Sequence, residues 1–412
     1  MDNSSDMPLW LLWAASEYVL ATRDTAFLDE QIHKEPVRAL LARCYKHLVD
    51  DVGVGEHGVM RMLNDDWNDA LVLFWAQRTM KETVEKGESV LNSAMAAWVF
   101  DYYAGMLVYA GESRDTIGQV RQKAEEHRQA ARAQWTGQWL RRCWLGPAAG
   151  WLGEQTLWLE PQPWAILAGV TQPEQTKPLA ATLDELLRRP SPIGAMQLAK
   201  GPDMLAQHMT EPGTSIGGGV WPSLNAILVW ALATVNGAIA WDEWKKNTLA
   251  RHAELYPEVW YNTWSGPDTV NSVVSKHPGQ TVDNGFLHYT EYPIGNLHSH
   301  ACTLYSAAKL LGMEFTAEGM RFRPALPLES YHFDSPLMGF EKSPRGYQGW
   351  YAPSRAGSWT IQLKLPEDEA RRLTRAEVNG RSVRLARSPG GSISLAGQSA
   401  PSKPLRWSLR RA

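Results

Sequence analysis

Apolar residues recur at helical spacing from residue 8 to residue 311, and from residue 321 onward the period changes to two. Leu9, Leu12, Trp13, Ser16 and Leu20 predict a first helix over residues 8–23, with Pro8 where a first helical turn accepts it. A second helix is expected over 27–49, ending before Gly53 and Gly55. Further helices are expected over 88–110, closed by Gly111, and over 113–139, 172–188, 223–235, 241–255 and 300–311. Long irregular stretches separate them at 144–170, 191–219 and 256–294. In the tail, Trp359, Ile361, Leu363 and Leu365 alternate with Thr360, Gln362 and Lys364, and Asn379-Gly380 is a hairpin signal. The expected fold is therefore mainly α, a helical toroid with a cleft over 1–320, followed by an antiparallel β-sandwich over 321–412. Pro324 and Pro327 mark the expected boundary.

Composition narrows the function. The formal net charge of -3, without a basic run, removes an electrostatic case for nucleic acid. The apolar run at 9–15 is too short to cross a bilayer and has no basic flank, so neither a signal peptide nor an anchor is expected. Three widely spaced cysteines, Cys44, Cys143 and Cys302, fit a reducing, cytoplasmic setting better than a disulfide framework. The chain has 20 tryptophans, several of them in polar, glycine-rich loops. Indole faces stack on the C–H faces of pyranose rings, so that placement points to carbohydrate, whereas a tryptophan on a helix face belongs to a core.

Candidate chemistry centres on Leu63-Asn64-Asp65-Asp66-Trp67-Asn68-Asp69. Cleaving a glycosidic bond needs an acid that protonates a poor leaving oxygen, and burial near an apolar ring keeps a carboxyl protonated toward neutral pH. Asp69 is the candidate acid, with Trp67 and Asp66 beside it; the competing reading is an acidic loop capping the next helix. The irregular stretches add Glu154, Gln162 and Trp164, then Glu211 and Trp221, then Glu258, Trp264 and Asp268. A loop as long as 256–294 is improbable unless it builds a site. Glu258 and Glu211 are equally readable as loop carboxylates, and Asp268 after Pro267 as a turn residue. His298 and His300 lack a third ligand at motif spacing, so a substrate contact at His298 is preferred to a metal, and no cofactor is expected.

Taken in order, these segments resemble glycoside hydrolase family 94, the cellobiose and chitobiose phosphorylases and related inverting enzymes built on an (α/α)6 barrel. Ser5-Asp6-Met7-Pro8-Leu9-Trp10-Leu11 resembles its S-D-D-x-L-W-L, and residues 18–30 its Y-x-x-x-T-x-D-x-x-F-L-x-E. Asp65 to Ala70 resembles G-D-W-N-D-G, Gly87-Glu88-Ser89-Val90 resembles G-E-S-V, and residues 154–164 resemble E-G-K-I-x-L-x-x-Q-x-W. The resemblance implies that Asp69 is the general acid, that Trp67 lines the subsite of the reacting sugar, and that Glu154 and Gln162 line the cleft. The departures bear on the nucleophile. The family's second sugar-binding Asp is Met7 here, its E-N-G-G glutamate is Ile216, and its phosphate-binding His is Ser223. Its T-G-S phosphate loop is only loosely echoed at 263–268.

Phosphorolysis and inverting hydrolysis share the acid and differ in what holds the opposite face of the sugar, a cationic phosphate site or a carboxylate base. Loss of the phosphate His and gain of Asp268 favour a hydrolase of β-linked glucosides, galactosides or short oligosaccharides, with Asp69 as acid and Asp268 or Glu258 as base. A disaccharide phosphorylase and a non-catalytic carbohydrate-binding protein are the alternatives. Because the family's N-terminal sandwich and first barrel helices have no counterpart before residue 5, an incomplete toroid is expected to hide apolar helix faces in a homo-oligomer.

Overall fold

The computed structural model describes residues 4–206, 211–259, 268–280, 283–284, 287–288 and 301–411. The chain is helical with a sheet-rich C-terminal region, and it divides into two compact units. Unit one comprises Met1–Trp10, Cys44–Phe100 and Arg121–Ala307; unit two comprises Leu11–Arg43, Asp101–Val120 and Ala308–Ala412.

The longer helices are α1 (Met7–Thr22), α2 (Val37–Lys46), α3 (Val90–Ala110), α4 (Arg114–Arg132), α5 (Pro173–Leu183), α6 (Pro222–Ala233), α7 (Gly237–Lys246) and α8 (Thr303–Leu310). The expected second helix is broken. Its start is a 3-10 turn, Ala26–Asp29, then a two-residue ribbon reversing at His33 and Lys34, both at positive φ, before α2 begins. Pro36 explains the break, because it lacks an amide donor and biases the residue before it away from helix. The helix expected over 113–139 ends at Arg132, and Gly137 at φ 105° turns the chain into a bridge between Trp135 and Leu140. Inside the irregular stretch 144–170 a short buried helix, Pro161–Leu167, is opened by its own prolines. The helix expected over 241–255 splits at Asn247, where the Thr248 hydroxyl caps Leu249–Leu255, and Asn236 caps α7. No helix among the described residues is long and apolar enough to cross a membrane.

The sheets of unit two start earlier than the expected boundary. The strands are β1 (Glu314–Thr316), β2 (Gly319–Phe322), β3 (Tyr331–Asp334), β4 (Met338–Ser343), β5 (Gly346–Tyr351) and β6 (Gly357–Lys364). Then come β7 (Leu373–Val378), β8 (Arg381–Ser382), β9 (Ala386–Ser388), β10 (Ser392–Ser399) and β11 (Leu405–Arg411). Pro324 and Pro327 therefore lie between sandwich strands. One sheet has the order β3-β4-β5-β11-β7-β8, the other β9-β10-β6-β2-β1, antiparallel except for β2 beside β6. Inward residues meet in an aromatic core in which Phe322 of one sheet stacks on Phe340 of the other at 4.7 Å, with Trp407 alongside.

Arg23, fully buried within the same unit, ends α1 at φ 66°. Its guanidinium donates to the Tyr351 hydroxyl (2.8 Å), to Thr316 O (2.7 Å) and to Gly319 O (2.5 Å), and it lies over the Tyr109 and Trp359 rings at 5.0 and 4.9 Å. Charge-assisted hydrogen bonds and ring faces compensate the desolvation of this cation, which fixes the end of α1 against β1, β2 and β5.

Candidate active site

Unit one holds the acidic turn. Leu63, at φ 59°, lets the chain reverse, and Ser4 pairs with both Leu63 and Asp65. Ser5 donates its amide (3.2 Å) and its hydroxyl (2.9 Å) to Asp65 O, and Asn92 of α3 donates to the Ser5 hydroxyl at 2.8 Å. Asp6 opens α1: its carbonyl accepts from Leu9 N, and its carboxylate takes the Ser4 hydroxyl (2.6 Å) and the Trp10 indole N–H (2.9 Å). The segment with the S-D motif therefore straps the segment with the W-N-D motif.

Asp66 is fully buried and each oxygen is used twice. Oδ1 accepts from Arg142 Nη2 (2.8 Å) and Asn68 N (3.0 Å), and Oδ2 accepts from Arg142 Nη1 (2.8 Å) and the Ser89 hydroxyl (2.6 Å). Burial alone raises a carboxyl pKa, but the Arg142 charge and these hydrogen bonds outweigh it and hold Asp66 below the ordinary carboxylate range. With its acceptor sites occupied by protein, Asp66 braces the turn, and the expectation of a sugar contact there is corrected. On its other side Arg142 Nε faces Glu160 Oε1 at 3.3 Å; that oxygen accepts from Gln197 Nε2 (2.9 Å), and Gln197 Oε1 accepts the Trp221 indole N–H at 3.1 Å. Trp221 meets the Trp67 ring edge-on at 4.9 Å. One chain of contacts thus runs from the carboxylate before Trp67, through Arg142, Glu160 and Gln197, to the indole against which Trp67 rests. Glu160 is pushed above the ordinary range by burial despite Arg142, and its Oε2 has no partner among the described residues.

Arg142 reaches this position because a small ribbon delivers it. Glu88–Ser89 pairs with Cys143–Trp144, which pairs with Trp151–Leu152, and Arg142 N donates to Leu152 O at 2.9 Å. Gly153, at φ 85°, allows the approach, since a Cβ there would lie 2.5 Å from Arg142 N.

Asp69 is at the solvent-exposed end of the turn. Its pKa is raised, first by the desolvation of the surrounding protein, next by the charge of Asp268 and then by that of Asp6. The turn and the loop after residue 267 thus bring two of the candidate carboxylates into one field. Asp65 and Asp6 are raised too, mainly by burial. Beside it Asp6, Trp10, Trp67, Asn92, Trp164 and Ser223 help line a cavity of about 20 Å³, room for about one water.

The other expectations fare unevenly. Glu258 is exposed in the turn after Leu249–Leu255. Glu211 accepts from Lys276 N at 2.7 Å and braces its loop. Glu154 is half exposed and paired with Arg141 at 2.8 Å. Gln162 is buried, donating to Leu140 O and Trp158 O and accepting from Leu140 N, which makes it a backbone brace and corrects its reading as a cleft contact. Trp164 is buried edge-on against Trp10 and Trp230. Trp264, His298 and His300 lie outside the described residues. Sequence reasoning missed Arg142, Glu160 and Gln197 as a unit; the only signal was an arginine pair, Arg141-Arg142, set in an apolar run.

Known proteins place the chain. It is 26% identical over 223 residues to a solabiose phosphorylase from Paenibacillus borealis, covering 52% of this chain and 27% of that protein. It is 26% identical over 200 residues to an N,N'-diacetylchitobiose phosphorylase from Vibrio proteolyticus, covering 46% and 23%. The alignments thus span about a quarter of each relative. Among solved structures, the GH63 mannosylglycerate hydrolase from Thermus thermophilus in complex with glucose superposes with a TM-score of 0.48 at 11% identity, over 73% of this chain and 75% of that one. The family model described as the glycosyl hydrolase 94 superfamily, catalytic domain, matches residues 1–230, more than half of the chain, and the chain belongs to that superfamily.

Proposed function

We propose that this carbohydrate-processing enzyme cleaves β-linked glucosides, galactosides or short oligosaccharides with inversion, Asp69 protonating the leaving oxygen and Asp268 deprotonating water. The observation that carries the reading is the juxtaposition of a solvent-open acid on the Trp67 turn with a second carboxylate from a separate loop, in a field that keeps Asp69 protonated to higher pH. Hydrolysis is preferred because the charges that act on Asp69 from Asp6, Asp66 and Asp268 are all negative, an environment that opposes a phosphate dianion. The one buried guanidinium of this network, Arg142, is committed to Asp66 and Glu160. Phosphorolysis is the second reading, favoured by the names of the two relatives. Chromogenic β-glucosides, β-galactosides and β-N-acetylglucosaminides, assayed with and without inorganic phosphate, decide between them. Hydrolysis predicts turnover without phosphate; strict dependence on phosphate, with a sugar phosphate as product, would establish the phosphorylase.

The same reading includes an (α/α) toroid ahead of the sandwich strands that begin at Glu314, a cytoplasmic setting and a homo-oligomer. Exposed Met7, Leu11 and Leu304 support the last, being large apolar side chains that a monomer leaves in water. Light scattering is expected to give a mass at least twice that of one chain, and a monodisperse monomer would remove this part of the proposal.

A further inference from the structure

The outer face of the six-stranded sheet carries a recess of about 430 Å³, within the size range of small-molecule sites and well apart in sequence from the acidic turn. Period-two alternation builds it. Inward residues such as Phe340, Tyr347 and Trp407 form the core, so their neighbours must face outward. Register then sets them in two rows across the strands. One row reads Asp334, Gly339, Trp350, Arg406; the next reads His332, Glu341, Gln348, Ser408, Glu377.

Gly339 lies between Asp334 and Trp350, and its lack of a side chain is what admits the indole. A Cβ there would come 2.2 Å from Trp350 Nε1 and 2.5 Å from Asp334 Oδ1. The Trp350 N–H donates to Asp334 Oδ1 at 3.3 Å, so the ring crosses the glycine and is tethered by its edge. In the second row Gln348 donates to Glu341 Oε2 at 2.6 Å and accepts from Arg410 Nη2 at 2.9 Å. Both contacts fix the amide. His332, Glu377 and Arg406 complete the polar lining of the recess.

We infer that this recess is a second carbohydrate-binding site, for a neutral oligosaccharide, with Trp350 as the platform for one pyranose ring. An indole offers an apolar face to ring C–H groups, while each sugar hydroxyl both donates and accepts. The lining matches that demand: carboxylates Asp334, Glu341 and Glu377 accept, Arg406 and Arg410 donate, and Gln348 does both. Interleaved opposite charges leave no single-sign field, which disfavours an anion; the polar lining disfavours an apolar peptide. The site would keep the chain on an oligosaccharide while the separate acidic turn acts, but its binding does not depend on that reading.

The test is titration calorimetry on the full chain carrying Asp69→Asn, so that turnover does not consume the probes. These are neutral di- to hexasaccharides of glucose, galactose and N-acetylglucosamine. At least one is expected to bind, with Trp350→Ala weakening it about tenfold or more and Trp350→Phe retaining most of the affinity. Gln348→Ala, on the half-exposed outer face, is expected to weaken it as well and serves if Trp350→Ala does not fold. Binding by none of the probes overturns the inference, as does affinity that survives loss of Trp350 or of Gln348.

Discussion

Asp69→Asn is expected to lower turnover of a natural disaccharide by about 10²–10⁴, the usual contribution of a positioned general acid, with the fold intact. The asparagine keeps the shape of the carboxyl and removes its transferable proton. Because Asp69 is exposed and Asp66 carries the ion pair that braces the turn, the substitution leaves that brace in place. The loss should depend on the leaving group. A nitrophenolate departs with little protonation, so activated aryl glycosides should lose far less than a disaccharide whose alkoxide must be protonated as it leaves. Equal losses on both substrates, or a nearly wild-type rate, would return the turn to a capping role.

The same pair gives a pH signature. A general acid works only while protonated, so the raised pKa of Asp69 sets the alkaline limb of the rate profile, activity falling as pH rises through that value. The charge of Asp268 is the second cause of the raised value after desolvation. Asp268→Asn should therefore move the alkaline limb of the residual activity to lower pH. Azide should restore turnover in this variant, because it replaces an attacking water that no longer has its base. An unmoved limb would show that the two carboxylates do not share a field during turnover.

How much of this was readable in the sequence depends on whether the signal was local. Helices whose ends carry their own punctuation, such as α6 opened by Pro222 and α3 closed by Gly111, were legible within a residue or two. The alternation around Trp359 likewise gave the face of β6 correctly. The second helix breaks because at Pro36 the missing amide donor outranks the helical spacing on either side. Tryptophan count was a blunt guide. Trp158, Trp164, Trp230 and Trp407 are buried core, and Trp350 carries no local signal, because only cross-strand register puts it over Gly339. The site shows the same divide. Motif order pointed to the Asp65 to Asp69 turn, yet which of its acids is ion-paired and which is open follows from Arg142, about seventy-six positions away in the chain and with no spacing to announce it.

That arginine supports the second large expectation. Arg142→Met fills most of the same space but leaves Asp66 and Glu160 buried without their cation, and breaking a buried pair typically costs about 3–5 kcal/mol. Against a usual total of about 5–15 kcal/mol, the urea midpoint at pH 7 should fall sharply. The pH dependence identifies the cause. In the wild-type protein the Asp66 pKa is depressed, so its contribution is fully present above the unfolded value and is lost as pH falls through the lower folded value. Without Arg142 burial dominates and the folded pKa moves above the unfolded one. The variant then takes up a proton on folding, and its deficit relative to wild type should shrink as pH drops from 7 toward 4. Asp66→Asn combined with Arg142→Met should cost much less than the sum of the two single changes, since removing the first partner already strands the second. A deficit that stays constant with pH, or additive losses, would mean that Arg142 acts by packing over Trp158, 5.9 Å from its guanidinium, and that the acidic turn is held by its Ser5 strap alone.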